Sequence, residues 1–279
     1  MDPVHISITA ALSRSRLLAA GALLAACSVH LPPPAASAAG EPTTPARGSA
    51  FMGMGVLAHD GRGGVPAATR ATQTEGVDVA SYQGDVAWPT LWNSGVRWAY
   101  AKATEGTSYR NPRFTQQYGG SYGVGMVRGA YHFATPDTAG GAAQADYFVD
   151  HGGGWSRDGR TLPGALDIEW NPYGGACYGK SQSAMTAWIR DFLDRYKART
   201  GRDAVIYTAT SWWTQCTGDY AGFASANPLW IARYASTAGT LPTGWNTYTM
   251  WQYTSTGPTV GDHDKFNGST DRLRALADG

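Results

Sequence analysis

Leu166-Asp167-Ile168-Glu169-Trp170 sets two carboxylates two residues apart in the apolar frame Gly164-Ala165-Leu166-x-Ile168-x-Trp170. Residues i and i+2 of a β-strand project from the same face, so as a strand this run points Asp167 and Glu169 the same way. If that face looks into a closed barrel, burial and mutual repulsion push one carboxyl upward in pKa. Such a pair supplies an acid and an anion in one pocket, the combination that cleavage of a glycosidic bond requires. The bland alternative is a solvated strand edge, and Leu166, Ile168 and the small Gly164-Ala165 beside the acids argue against it.

On either side of this run, short β-rich stretches alternate with stretches of helical character. They are Gly76-Val77-Asp78-Val79-Ala80, Arg97 to Ala103, Val127 to Phe133, Ala165 to Trp170, Ala204 to Thr208, Leu229 to Tyr234 and Thr249 to Tyr253. This is the βα alternation of a barrel. Between the fourth and fifth runs Ser181 can cap a helix with Met185, Trp188, Ile189, Phe192, Leu193 and Tyr196 on one face, and Gly201 stands just past its end. Later gaps, such as Thr254 to Gly261, are too short for full helices. The expected fold is α/β, an irregular TIM-like (β/α) barrel over residues 74–279 with some outer helices reduced or missing.

Working residues of such barrels sit at the C-terminal ends of strands. Asp78, His132, Asp167, Glu169, Tyr207, Trp251-Gln252-Tyr253, Asp262 and Asp264 all fall there, so acids from distant strands converge on one mouth. Each has a plainer rival. Asp78 could cap a helix, Asp262-His263-Asp264 could be a turn or, less readily, a metal site, and His132 is more often a hydrogen-bonded structural histidine than a catalyst. Tyr131, Tyr207 and Trp251 are sugar platforms or core residues, and Lys102 and Glu105 read as a structural pair near the rim.

Lys plus Arg (22) nearly cancels Asp plus Glu (21), so nothing points to nucleic acid or to an anionic membrane as partner. Arg14 and Arg16 precede the apolar run Leu17 to Ala26, which is too short to span a bilayer, and residues 1–39 read as a signal peptide. Two processing outcomes compete. Ala36-Ser37-Ala38 fits cleavage to a soluble secreted product. Leu24-Ala25-Ala26-Cys27 fits a lipoprotein signal ending at Cys27, which would anchor the protein to a membrane by lipid. Residues 40–73, rich in Pro, Ala, Gly and Thr, read as a linker or N-terminal extension, although Phe51-Met52-Gly53-Met54-Gly55-Val56-Leu57 is too apolar for a plain linker. Docking on the domain is one reading of it. A Cys177–Cys216 disulfide is plausible in an exported chain, with two separate buried thiols as the alternative.

Six stretches resemble glycoside hydrolase family 25, the N-acetylmuramidase lysozymes, in the family's order. They are Gly76 to Gly84, Ala101-Lys102-Ala103-Thr104-Glu105-Gly106, Gly129-Ala130-Tyr131-His132-Phe133, Leu166-Asp167-Ile168-Glu169, Trp251-Gln252-Tyr253, and Asp262-x-Asp264-x-Phe266-Asn267-Gly268. The resemblance implies a monomeric enzyme acting on peptidoglycan strands without a cofactor or metal. It implies that Glu169 is the general acid, and that Asp167 assists attack by the substrate's N-acetyl group or by water. Asp78 and Asp262 would complete an acid ring, with Asp262 preferred over Asp264 as its last member. Tyr82, Tyr131, Tyr207, Trp251, Gln252 and Asp264 would bind substrate. A chitinase-like glycosidase, a non-catalytic glycan-binding protein and a cysteine peptidase or amidase using Cys177 are the rival classes. The first usually carries further acids before the pair, the second has no need of a raised pKa, and the third lacks a histidine partner.

Overall fold

The computed structural model describes residues 44–63 and 72–279, so the expected signal at 1–39, with Cys27, lies outside the described residues. A short helix α1 (Met54–His59) comes first, followed by β1 (Thr74–Val79), α2 (Trp88–Asn93), β2 (Trp98–Glu105), β3 (Tyr109–Arg110), α3 (Phe114–Gly123), β4 (Val127–Phe133) and α4 (Gly141–Phe148). The second half runs β5 (Ala165–Asp167), α5 (Gln182–Thr200), β6 (Val205–Thr208), α6 (Thr210–Thr217), β7 (Leu229–Ala232), β8 (Met250–Thr254), β9 (Asp262–Phe266) and α7 (Thr270–Asp278).

Strands β1, β2, β4, β5, β6, β7 and β8 are parallel neighbours in that order, and β9 closes the barrel by pairing antiparallel with both β8 and β1. The small β3 folds back antiparallel on the end of β2. No helix separates β7 from β8 or β8 from β9, so the barrel is irregular with a reduced outer layer. The segment Asp262–Phe266, for which a turn is the simplest local expectation, is therefore a strand. Two of the three positions on its inward face, Asp262 and Asp264, are acids and only Phe266 is apolar, so the usual alternation is weak in its sequence.

Helix α5 follows its apolar periodicity closely. Ser181 Oγ accepts the N–H of Ala184, Gly201 ends the helix with φ 74°, and the six apolar positions Met185, Trp188, Ile189, Phe192, Leu193 and Tyr196 are its buried face. The strand-start end of the barrel interior is filled by aromatic rings. Trp230 lies 5.7 Å from Trp98, 4.9 Å from Tyr100 and 5.4 Å from Tyr207 between ring centroids. These rings are fully buried, so the interior is a packed core rather than a pore. A Cys177–Cys216 disulfide ties the loop after β5 to α6 and removes Cys177 as a nucleophile.

Candidate active site

β5 is only three residues long. It ends at Asp167, opposite Phe133 of β4 and Tyr207 of β6, and Glu169 follows just beyond. The Ile168 N–H still reaches the Tyr207 carbonyl at 3.0 Å, which keeps the chain extended and Glu169 on the face of Asp167. Both acids are completely buried. Burial pushes Glu169 up to about 8, against the N–H bonds it receives from Gly53 and Gly55. Asp167 is raised well above the usual carboxylate range by burial and by Glu169, and Lys102 opposes the shift. No backbone N–H, hydroxyl or amine among the described residues donates to either Asp167 oxygen.

The other acids come from the closing seam, where Asp78 stands opposite Asp262 in the β1–β9 register. Gln252 of β8 organises this side. Its Nε2 donates to Asp78 Oδ2 at 2.7 Å, and its Oε1 accepts the Tyr207 hydroxyl at 2.6 Å and the Tyr234 hydroxyl at 2.9 Å. Burial raises Asp78 to about 7, and the Gln252 hydrogen bond holds it from rising further. Asp78 is therefore a ring member and caps no helix. Asp262 and Asp264 project from one face of β9 and both are buried. Asp262 lies 3.5 Å from the Tyr82 hydroxyl and 3.4 Å from the Tyr234 hydroxyl, whereas Asp264 accepts the Trp230 indole N–H at 3.1 Å. Asp262 thus faces the mouth and Asp264 the aromatic floor.

Most of the expected binding residues reach this mouth. Tyr131 and Tyr207 line it from inside, and Tyr82, 57% exposed, stands at its rim. Trp251 does not, because it alternates with the inward Gln252 and sits on the opposite face of β8, where its indole donates to the Arg233 carbonyl and packs beside Tyr248 and Tyr253. His132 is structural. It is wholly buried between Thr104 and Gln144, at 2.8 and 2.9 Å, and burial lowers its pKa to about 4. Tyr234, just past the end of β7, is a site residue the sequence pattern gave no reason to single out beyond its strand-end position.

The pair Lys102–Glu105 is buried, 2.6 Å apart, and is more than a rim feature. Both residues hold the N-terminal segment. Lys102 Nζ donates to the Gly48 and Ala50 carbonyls, and Glu105 accepts the Gly48 N–H at 2.8 Å. Residues 44–63 belong to the same compact unit as the barrel, so this part of the extension is docked rather than a plain linker. Phe51 packs 4.5 Å from Tyr82, and His59 stacks 3.8 Å over Trp170 at an interplanar angle of 9°.

A family profile described as glycosyl hydrolases family 25 matches residues 77–262. The chain is 45% identical to Lysozyme M1 of Streptomyces globisporus over 99% of this chain and 98% of that protein. It is 49% identical to the N,O-diacetylmuramidase of a Chalaropsis species, over 74% of this chain and 99% of that one. Among solved structures, the muramidase of Acremonium alcalophilum matches with a TM-score of 0.73 and 55% identity, covering 74% of this chain and 99% of its own.

Proposed function

The chain belongs to glycosyl hydrolases family 25, and from that membership we propose that it is a secreted lysozyme cutting the β-1,4 bond between N-acetylmuramic acid and N-acetylglucosamine in peptidoglycan. Burial raises both carboxyls of the β5 pair, and the observation that carries the assignment of roles is their contrast in hydrogen bonding, since backbone N–H groups reach Glu169 and none reaches Asp167. Glu169, raised by burial to about 8, is protonated at neutral pH and serves as the general acid to the leaving glycosidic oxygen. Asp167, with no N–H or hydroxyl donating to it, is left to orient the substrate's acetamido N–H or to draw a proton from water. Asp262 beside Glu169 and Asp78 beside Asp167 add like charge that disfavours ionisation of the pair, and the Gln252 amide fixes the Asp78 carboxyl. Tyr82, Tyr131, Tyr207 and Gln252 would meet the sugars. The disulfide supports an oxidising compartment, in keeping with export.

Reducing ends released from purified cell walls, measured on the intact chain and after limited proteolysis, test this reading. Glu169→Gln should lower turnover by about 10²–10⁴-fold. Full activity in that variant sinks the assignment. The anomeric configuration of fresh product, followed by NMR, separates N-acetyl-assisted attack, which retains configuration, from direct attack by water, which inverts it.

A further inference from the structure

We propose that residues 46–60 are an autoinhibitory strap, a built-in segment that occupies the glycan cleft and must be displaced before substrate can enter. The inference rests on the muramidase reading above and concerns the regulation of that same site. The strap meets the candidate catalytic residues directly. The Gly53 N–H donates to Glu169 Oε1 at 2.6 Å and the Gly55 N–H to Oε2 at 3.2 Å. The Met52 N–H reaches the Tyr131 hydroxyl at 3.4 Å, and Gln252 Nε2 reaches the Met52 carbonyl at 3.4 Å. Met52, Gly53, Gly55 and Val56 are buried in the mouth.

Two consequences follow from these contacts. Sterically, the strap fills the space beside Glu169, Tyr131 and Gln252 where a sugar would bind. Chemically, the Gly53 and Gly55 N–H groups engage both oxygens of the Glu169 carboxyl, so neither is free to meet the leaving glycosidic oxygen. The strap mimics the polar side of a glycan with its backbone, offering N–H and C=O groups where acetamido and hydroxyl groups would lie.

Close approach at two points depends on glycine. Gly53 has φ +83°, and a Cβ there would lie 2.0 Å from the Tyr234 hydroxyl. A Cβ on Gly55 would lie 2.4 Å from Trp170 Cβ and 3.1 Å from Glu169 Oε2. The family profile matches residues 77–262, so residues 46–60 lie outside the matched region, and the Chalaropsis muramidase, with 99% of its own length, covers 74% of this chain.

The full chain and its Gly53→Val and Gly55→Val variants are compared on soluble peptidoglycan fragments, with thermal unfolding run in parallel. The same chain is also cut by limited trypsin digestion, for which Arg62 is exposed at the end of the strap, and followed by mass. Autoinhibition predicts that the variants and the trimmed chain turn over substrate roughly tenfold or more faster than the intact chain, with unfolding of the barrel unchanged. Equal rates in intact, variant and trimmed chains overturn the strap while leaving the muramidase reading in place. Slower turnover in the variants and the trimmed chain, which a merely structural strap predicts, overturns it as well. Absence of turnover in every chain, trimmed ones included, overturns the muramidase reading and the inference with it.

Discussion

At the strand-start end of the barrel, Trp98, Tyr100 and Trp230 fill the interior with rings that the strands themselves supply. At the strand-finish end, the interior is lined by Asp78, Asp167, Glu169, Asp262 and Gln252, and it is closed by Met52, Gly53 and Gly55 from a segment that contributes no strand. The named side chains at both ends are buried. At the first, apolar area is packed against apolar area. At the second, backbone donors and acceptors of a separate stretch meet polar side chains, the contacts that the strap proposal has a ligand replace.

The comparison breaks first at its stable end. Trp230→Ala removes the ring against which Trp98, Tyr100 and Tyr207 pack and leaves Asp264 without its indole donor. A loss of about 3–5 kcal/mol is expected in denaturant unfolding. A loss under about 1 kcal/mol, the scale of an exposed substitution, would mean the aromatic floor is not the core. At the functional end, Glu169→Gln should cost turnover by the factor given above while leaving unfolding within about 1 kcal/mol of the parent.

Protonation sharpens the contrast further. Asp78 and Glu169 are raised by burial to about 7 and about 8, so the folded state keeps protons that the unfolded chain has already released. Their contribution to stability is fully present below about pH 4, the ordinary carboxylate value, and is lost as pH rises through about 7 and 8. The melting temperature should accordingly fall between about pH 5 and 8, and Asp78→Asn should flatten that slope. An unchanged slope would show that the acid ring does not hold its protons. The smallest effect concerns the strap's edge. His59→Ala removes the ring stacked on Trp170 and should weaken docking by about 0.5–1.5 kcal/mol, read as faster tryptic removal of the segment.

Much of this was legible in the residues. The i, i+3, i+4 pattern after Ser181 located α5 to its buried face, because helix burial follows a period that is written in the side chains. The Asp-x-Glu run marked the end of β5 for the same reason at period two. β9 was harder, since Asp262 and Asp264 occupy two of the three positions on its inward face and leave only Phe266 as an apolar signal. Trp251 read as a platform because strand-end aromatics often are, but the face of β8 it occupies was fixed only by Gln252 turning inward toward Asp78. Tyr234 carried no motif, and its place depends on where the chain bends after β7.

By itself, then, the sequence determined the barrel, the family resemblance and the acids that meet at its mouth. These are properties of side-chain type and spacing, and they survive in a one-dimensional string. The tertiary structure alone decided the protonation of those acids and the occupant of the cleft. A pKa depends on burial and charge contributed by strands far apart in the chain, as Asp78, Asp262 and Glu169 show. The strap binds through the N–H and C=O groups of Met52, Gly53 and Gly55, and every residue but proline has both groups, so no motif announces where they will dock.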